Sequence, residues 1–122
     1  MKPSQASIYR TTERLLQYSI GMAERLPKSL PYRELGKRMI SDLMNALDYI
    51  VLAFQAEEGE PRLRCIDAFI LHMTAVKTTY RVFVNAKVIS PKQLNQFLSL
   101  TSNISTQAGA WRRKQLKDPH ND

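Results

Sequence analysis

A block of basic residues is the first candidate for chemistry in this sequence. Between Ala68 and Lys117 the chain has eight lysines and arginines but no aspartate or glutamate. They are Lys77, Arg81, Lys87, Lys92, Arg112, Arg113, Lys114 and Lys117. Positive charge that is not compensated nearby indicates a surface for phosphate groups. The alternative is a solvated basic face that only keeps the chain in solution.

The sequence offers little for catalysis or metal binding. It has two histidines, His72 and His120, and no Glu-x-x-His pair, glycine-rich phosphate loop or Cys–His nucleophile pair. Arg113 and His120 have the spacing of the helical ribonucleases of the HEPN type. However, Pro119 precedes that histidine in a polar tail, so nothing would fix the imidazole for proton transfer. We predict no enzymatic activity, no metal, no cofactor, and a structural role for His72.

Length and composition favour one intracellular domain. A chain of 122 residues with 43% apolar and 24% charged residues suits a single globular core. The longest apolar run, Tyr49 to Phe54, and a polar N-terminus predict neither a membrane span nor a signal peptide. The single Cys65 cannot form an internal disulfide, which is typical of a reducing, cytoplasmic setting.

Apolar periodicity and prolines predict four helices and an all-α fold. The helices run from Ser7 to Arg25, from Pro31 to Glu58, from Pro61 to Val88, and from Pro91 through Trp111. Ser90 and Gln93 form a capping-box pattern at the start of the fourth helix. Because the loops are short, we predict an antiparallel, up-down-up-down four-helix bundle spanning residues 1–122, with frayed tails at 1–6 and 115–122.

The second helix has one apolar stripe more than a bundle core requires. The extra stripe follows helical spacing and consists of Ile40, Met44, Leu47 and Val51. A second stripe predicts homo-oligomerisation through this helix. The alternative is that a central helix of a compact bundle is buried on several sides.

Lys77 and Arg81 lie one helical turn apart beside the apolar stripe of the third helix. Two cations at this spacing repel each other, so an anion should compensate them. It could be an internal carboxylate, such as Asp42 or Asp48, or an external phosphate.

The aromatic residues of the last two helices are predicted to lie in the core, which argues against base stacking as the main mode of binding. They are Tyr80, Phe83, Phe97 and Trp111. Gly109, which has an alanine on each side, predicts a close approach between helices near Trp111.

The order of these features resembles a known family, over roughly residues 8–114. The shared features are a tyrosine-containing first helix, Leu26-Pro27-Lys28, Leu35-Gly36, Lys77 with Arg81, Ile89-Ser90-Pro91-Lys92-Gln93 and Gly109-Ala110-Trp111. The pattern is similar to that of the accessory variability proteins of diversity-generating retroelements. The rRNA intervening-sequence proteins, a wider set of relatives, have a similar bundle.

The resemblance implies a bundle that assembles into a barrel-like pentamer, basic on its outside. It also implies association with a reverse transcriptase and with RNA or DNA while template RNA is copied with adenine-directed errors. Lys77 and Arg81 occupy the family's basic pair, which is usually two arginines. Gly109-Ala110-Trp111 replaces the more usual Gly-Gly-Trp.

Our leading hypothesis is therefore a non-enzymatic, nucleic-acid-binding accessory protein of such a retroelement. The candidate contacts to phosphate or to the polymerase are Lys77, Arg81, Lys87, Arg112, Arg113 and Lys114. The alternative is a homo-oligomeric adaptor whose basic patch docks an acidic protein partner without binding nucleic acid.

Overall fold

Four α-helices make up most of residues 2–116, the part of the chain that the computed structural model describes. The elements are a 3-10 turn at Pro3–Gln5, α1 at Ser7–Ala23, α2 at Leu30–Gln55, α3 at Glu60–Asn85 and α4 at Pro91–Leu116. Each helix packs against two others, in the cyclic order α1, α2, α3, α4. The prediction of an all-α, four-helix bundle is confirmed.

The helix starts follow from local sequence chemistry. At the start of α4, the Ser90 hydroxyl accepts a hydrogen bond from the Gln93 amide at 3.1 Å, and the Gln93 side chain accepts one from the Ser90 amide at 2.7 Å. This is the reciprocal capping box that the sequence predicts. Gly59 precedes α3 with a φ of 95°, a conformation that glycine adopts without steric cost.

The ends of α2 and α3 come three residues earlier than predicted. After α3, the amide of Val88 bonds to the carbonyl of Phe83 at 3.1 Å, and that of Lys87 bonds to Val84 at 3.0 Å. This pair of bonds is a Schellman motif, which normally places glycine in the left-handed position. Here Lys87 occupies that position with a φ of 59°.

The core combines aliphatic and aromatic side chains with one hydrogen-bonded polar pair. Tyr80 and Ser19, 1% and 0% exposed, share a hydrogen bond of 2.9 Å between their hydroxyl oxygens. Burial raises the pKa of Tyr80 well above its ordinary value of 10.0, so the phenol stays protonated. Tyr80 also stacks on Phe97 with ring centroids 3.6 Å apart. Trp111 is half-buried and packs against Phe54, with ring centroids 5.2 Å apart.

Residues near both ends of the described chain pack on the bundle. Ala6 is buried, and residues 3–5 form a turn that packs on α1 and α2. At the other end, the buried side chain of Gln115 accepts a hydrogen bond from the amide of Gly59 at 2.9 Å. This contact holds the last described turn of α4 against the loop between α2 and α3. Residues 117–122, including Lys117 and His120, lie outside the described part.

Arg62 joins the end of α2 to the start of α3. Its guanidinium donates to the carbonyls of Ala53 and Ala56, both at 2.8 Å, and lies 3.4 Å from the carboxylate of Glu58. The last carbonyls of a helix have no hydrogen-bond donor within that helix, and Arg62 donates to two of them. The seam between α2 and α3 is therefore closed at this end by charge-assisted hydrogen bonds.

His72 closes the same seam further along. Its Nδ1 lies 3.0 Å from an oxygen of Asp42, and its ring stacks on Tyr49 with centroids 5.6 Å apart. The Asp42 side chain is 14% exposed and also lies 4.0 Å from Arg38. His72 thus packs and hydrogen-bonds between the two helices.

Candidate nucleic-acid interface

Lys77 and Arg81 have no carboxylate partner within residues 2–116. Lys77 Nζ donates to the hydroxyl of Ser105 on α4 at 3.0 Å, and Arg81 is exposed. Asp42, one of the two internal carboxylates suggested by the sequence, is engaged by His72 and Arg38 instead. Within the part of the chain that the structure describes, this pair of cations is thus open to an external anion.

A trough runs between α3 and α4 beside these two cations. Its larger part is a cavity of about 600 Å³, and a smaller part of about 120 Å³ shares Lys77 and Ser105 with it. The residues that matter below are Lys77, Arg81 and Val84 from α3 and Leu94, Leu98 and Ser105 from α4. We call this surface the α3–α4 trough.

Arg112 differs from the other candidates because its charge is compensated. Its Nε lies 2.7 Å from a carboxylate oxygen of Asp67 on α3. The acid-free stretch begins at Ala68, directly after that aspartate, so the sequence argument missed the pairing. Arg112 stays a predicted phosphate contact, but Asp67 compensates its charge, unlike those of Lys77 and Arg81 in the described part of the chain.

Arg113 and Lys114 are exposed in the last turn of α4 and have no carboxylate partner within the described residues. Helical residues advance by about 100° each, so Lys114 lies roughly 200° around the helix from Arg112. Because Arg112 contacts α3, Lys114 must point away from the trough.

The remaining cations lie at the opposite end of the bundle. Lys87 is exposed just after α3, and Lys92 lies in the first turn of α4. Lys92 borders a hollow of about 510 Å³ together with Tyr18 of α1 and Arg25, which lies just after that helix. The Tyr18 hydroxyl donates to the carbonyl of Gln93 at 3.1 Å. Burial raises the pKa of Tyr18, and the positive charge of Arg25 lowers it by a smaller amount.

Arg25 is a candidate that the sequence reasoning missed. The up-down topology supplies the missing signal, since it brings the end of α1 beside the start of α4. The candidate cations without a carboxylate partner in the described residues therefore occupy three places: the trough, the end with Arg25, Lys87 and Lys92, and the end with Arg113 and Lys114. Lys92 and Lys114 are separated by about 33 Å along α4, at 1.5 Å per residue.

The predicted close approach of a helix at Gly109 is wrong within the described residues. A Cβ atom built on Gly109 would meet only the guanidinium of Arg113, at 3.4 Å. Its neighbour Ala108 is the buried residue, 3% exposed. Gly109 instead borders the smaller part of the trough.

The extra apolar stripe of α2 is only partly on the surface. Leu47 is 6% exposed and belongs to the core, which corrects its assignment to an oligomer interface. Met44 is 48% exposed, while Ile40 and Val51 are half-buried. Ile40 borders a groove against α1 that also includes Ile20, which is 40% exposed. The outward apolar face thus follows the α1–α2 seam.

Within residues 2–116 no group of three or more His, Cys, Asp or Glu side chains is arranged to hold a metal ion. His120, whose spacing from Arg113 resembles that of the helical ribonucleases, lies outside this range. None of the helices in the described part is long and apolar enough to cross a membrane. No protein-family model, curated protein or solved structure matches the chain.

Proposed function

We propose that the protein is a non-enzymatic accessory protein of a diversity-generating retroelement that binds RNA or DNA through its basic surface. The observation that supports binding most strongly is the state of Lys77 and Arg81. They lie one turn apart on α3, and no carboxylate pairs with either among residues 2–116. A phosphate diester would supply the missing anion.

Binding would be electrostatic and largely independent of sequence. Cations that neutralise phosphates release condensed counterions, so affinity falls steeply with salt. Lys77, Lys87 and Lys114 would act as point charges, whereas Arg81 and Arg113 can bind phosphate oxygens in a bidentate manner. The separation of about 33 Å between the two basic ends is close to one turn of a duplex, about 34 Å.

Association with a reverse transcriptase and assembly into a pentamer are parts of the proposal that rest on the resemblance. The outward apolar face, with Ile20 and Met44 exposed and Ile40 and Val51 half-buried, supports self-association through the α1–α2 seam. In a four-helix bundle this seam lies opposite the α3–α4 trough, so assembly would leave the trough outward. Several subunits around one axis would then combine their positive fields.

The test of nucleic-acid binding is a salt titration with a matched charge control. Fluorescent single-stranded RNA and an RNA–DNA hybrid are titrated with wild type, with Lys77→Glu/Arg81→Glu, and with Arg10→Glu/Arg64→Glu. Each reversal removes two charges, so both double variants carry +3 instead of +7. The control residues are exposed on α1 and α3, away from the trough lining.

We expect wild type and the control to bind with a steep salt dependence, and the Lys77/Arg81 variant to bind at least about tenfold more weakly. Equal weakening by both double variants would mean that only net charge matters. Absence of binding by wild type at about 50 mM salt would reject the nucleic-acid function.

Light scattering after gel filtration tests the oligomer separately. Met44→Glu places a charge on the outward apolar face and should shift the assembly towards monomer, while Leu71→Glu, on another exposed leucine, should not. A wild type that is monomeric at micromolar concentration would contradict self-association through α2.

The adaptor hypothesis also has support from one observation. The α3–α4 trough is largely apolar apart from its cations and hydroxyls, a surface better suited to a protein than to a phosphate backbone. An adaptor would bind one protein tightly and oligonucleotides weakly, without dependence on their length.

A further inference from the structure

The α3–α4 trough is an apolar surface that the described chain leaves uncovered. Leu98 is 50% exposed at its edge, and Val84 and Leu94 are half-buried. Exposed apolar surface that is continuous and rimmed by polar groups marks sites of protein interaction. Scattered apolar residues would not form a connected cavity of about 600 Å³ between two helices.

The trough has the length of a short helix. Its two parts meet at Lys77 and Ser105 and extend along α4 from Leu94 to Gly109. Fifteen residues of α-helix correspond to about 22 Å. A groove of this shape between two helices accepts the apolar face of a third, whose anchoring side chains recur every three or four residues.

The two edges of the trough differ in charge. Lys77 and Arg81 line the α3 edge, whereas Ser102 and Ser105 line the α4 edge. Since no carboxylate in the described residues pairs with either cation, an occupant should carry acidic side chains along one flank only. Neutral polar side chains suit the other flank, where hydroxyls can donate or accept hydrogen bonds.

Aliphatic side chains fit the trough better than nucleobases. Tyr80 and Phe97 form part of its lining, yet they are 1% and 3% exposed and stack on each other at 3.6 Å. Neither ring presents a face on which a base could stack, which single-strand binding usually requires. The accessible apolar surface comes instead from Leu98, Leu94 and Val84.

From these observations we infer that the trough docks an amphipathic helix of a protein partner. Leucine-like side chains of that helix lie on Leu94 and Leu98, and carboxylates along one flank pair with Lys77 and Arg81. The Lys77–Ser105 hydrogen bond crosses the trough, so Lys77 leaves Ser105 for a carboxylate when the helix binds. The inference uses the same two cations as the proposed nucleic-acid binding, but its apolar contacts on Leu94 and Leu98 belong to the helix alone.

The test uses a fluorescein-labelled helical peptide of about 15 residues. Leucines at alternating spacings of three and four form its apolar stripe, with glutamates along one flank and glutamines along the other. A second peptide has lysine in place of each glutamate. Binding to full-length protein is followed by fluorescence anisotropy, and single-stranded RNA is titrated in parallel.

Leu98→Asn is the informative variant because it removes apolar surface without changing charge. Its matched control is Leu71→Asn, since Leu71 is 68% exposed on α3 and is not part of the trough lining. Circular dichroism establishes that both variants are folded. Arg81→Glu tests the charged edge, with Arg64→Glu as its control.

We expect the glutamate peptide to bind wild type and both controls, and to bind Leu98→Asn and Arg81→Glu about tenfold more weakly or worse. The lysine peptide should not bind. RNA affinity should be unchanged by Leu98→Asn, which separates this inference from the proposed nucleic-acid function.

Two results would overturn the inference. One is a wild type that fails to bind the glutamate peptide, or binds the lysine peptide equally well. The other is a Leu98→Asn variant that loses RNA affinity but keeps peptide affinity, which would assign the trough to nucleic acid.

Discussion

The two seams on either side of α3 are built differently. Towards α2 the seam is closed by Arg62 on two carbonyls at 2.8 Å and by His72 on Asp42 at 3.0 Å. Towards α4 the packing is less extensive, and a cavity of about 600 Å³ remains. Lys77 with Ser105 and Arg112 with Asp67 bridge this second seam, both at exposed positions.

In our proposal, α3 divides its circumference between folding on the α2 side and binding on the α4 side. On the α2 side, charged groups meet carbonyls and carboxylates of the same chain. On the α4 side, Lys77 and Arg81 meet no acid among residues 2–116, and Leu98 stays half in solvent. Substitutions should therefore change stability at one seam and binding at the other.

The largest expected difference is between two apolar truncations. Ile50→Ala removes a side chain of α2 that is 0% exposed and should lower the free energy of unfolding by about 2–5 kcal/mol. Leu98→Ala, at 50% exposure, should lower it by about 1 kcal/mol or less. Urea denaturation followed by circular dichroism measures both. A loss at Leu98 as large as that at Ile50 would show that the trough belongs to the core.

Two arginines provide the next comparison. Arg62→Ala leaves carbonyls at the end of α2 without their donor and should cost about 1.5–3 kcal/mol. Arg81→Ala should change stability by no more than about 0.5 kcal/mol, because the exposed guanidinium has no protein partner in the described part. The same denaturation experiment applies, and equal costs would remove the distinction between the seams.

Tyr80 tests whether the floor of the trough is part of the core. At pH 7, Tyr80→Phe loses the bond to Ser19 and should cost about 1 kcal/mol. Burial raises the pKa of folded Tyr80 above the 10.0 of an unfolded tyrosine. The phenol's stabilising effect is therefore complete below pH 10 and is lost as pH rises further, by up to about 1.4 kcal/mol per pH unit.

Unfolding in urea at pH 8 and at pH 11 checks whether the stability contributed by Tyr80 falls as the pH rises. Wild type should lose more stability between the two than Tyr80→Phe, so the gap between the two proteins should narrow. Tyr18, whose pKa is also raised, is present in both and cancels in the comparison. A constant gap would mean that Tyr80 titrates as an exposed tyrosine does.

The smallest effect is expected at the bridge across the trough. Lys77→Met removes the bond to Ser105 and should alter stability by about 0.5 kcal/mol or less, since both groups are solvated. Differential scanning calorimetry would detect a larger change. A loss above about 1.5 kcal/mol would indicate that Lys77 holds α3 and α4 together, leaving it unable to serve a ligand.

The fold was predictable because its signals are local. Prolines in the first turns of α2 and α3, the Ser90–Gln93 capping box and the apolar periodicity each act within a few residues. The bundle follows from them with short loops. Helix ends were less predictable, since α2 and α3 both end three residues before their predicted ends, and the end of α2 is held by Arg62, which lies on the next helix.

The candidate site was predictable in composition and not in arrangement. The sequence shows which residues are charged, but the pairing of Arg112 with Asp67 and the burial of Leu47 depend on how the helices face each other. The trough had no sequence signal. It results from incomplete packing of α4 on α3, which helical periodicity does not report.

Lys87 is a position where folding and surface charge favour different residues. Its left-handed backbone, with a φ of 59°, costs a residue other than glycine on the order of 1 kcal/mol. Lys87→Gly should therefore make the protein more resistant to urea while removing one cation from the basic end. If this one substitution raises stability and weakens phosphate binding, then the two properties favour different residues at position 87.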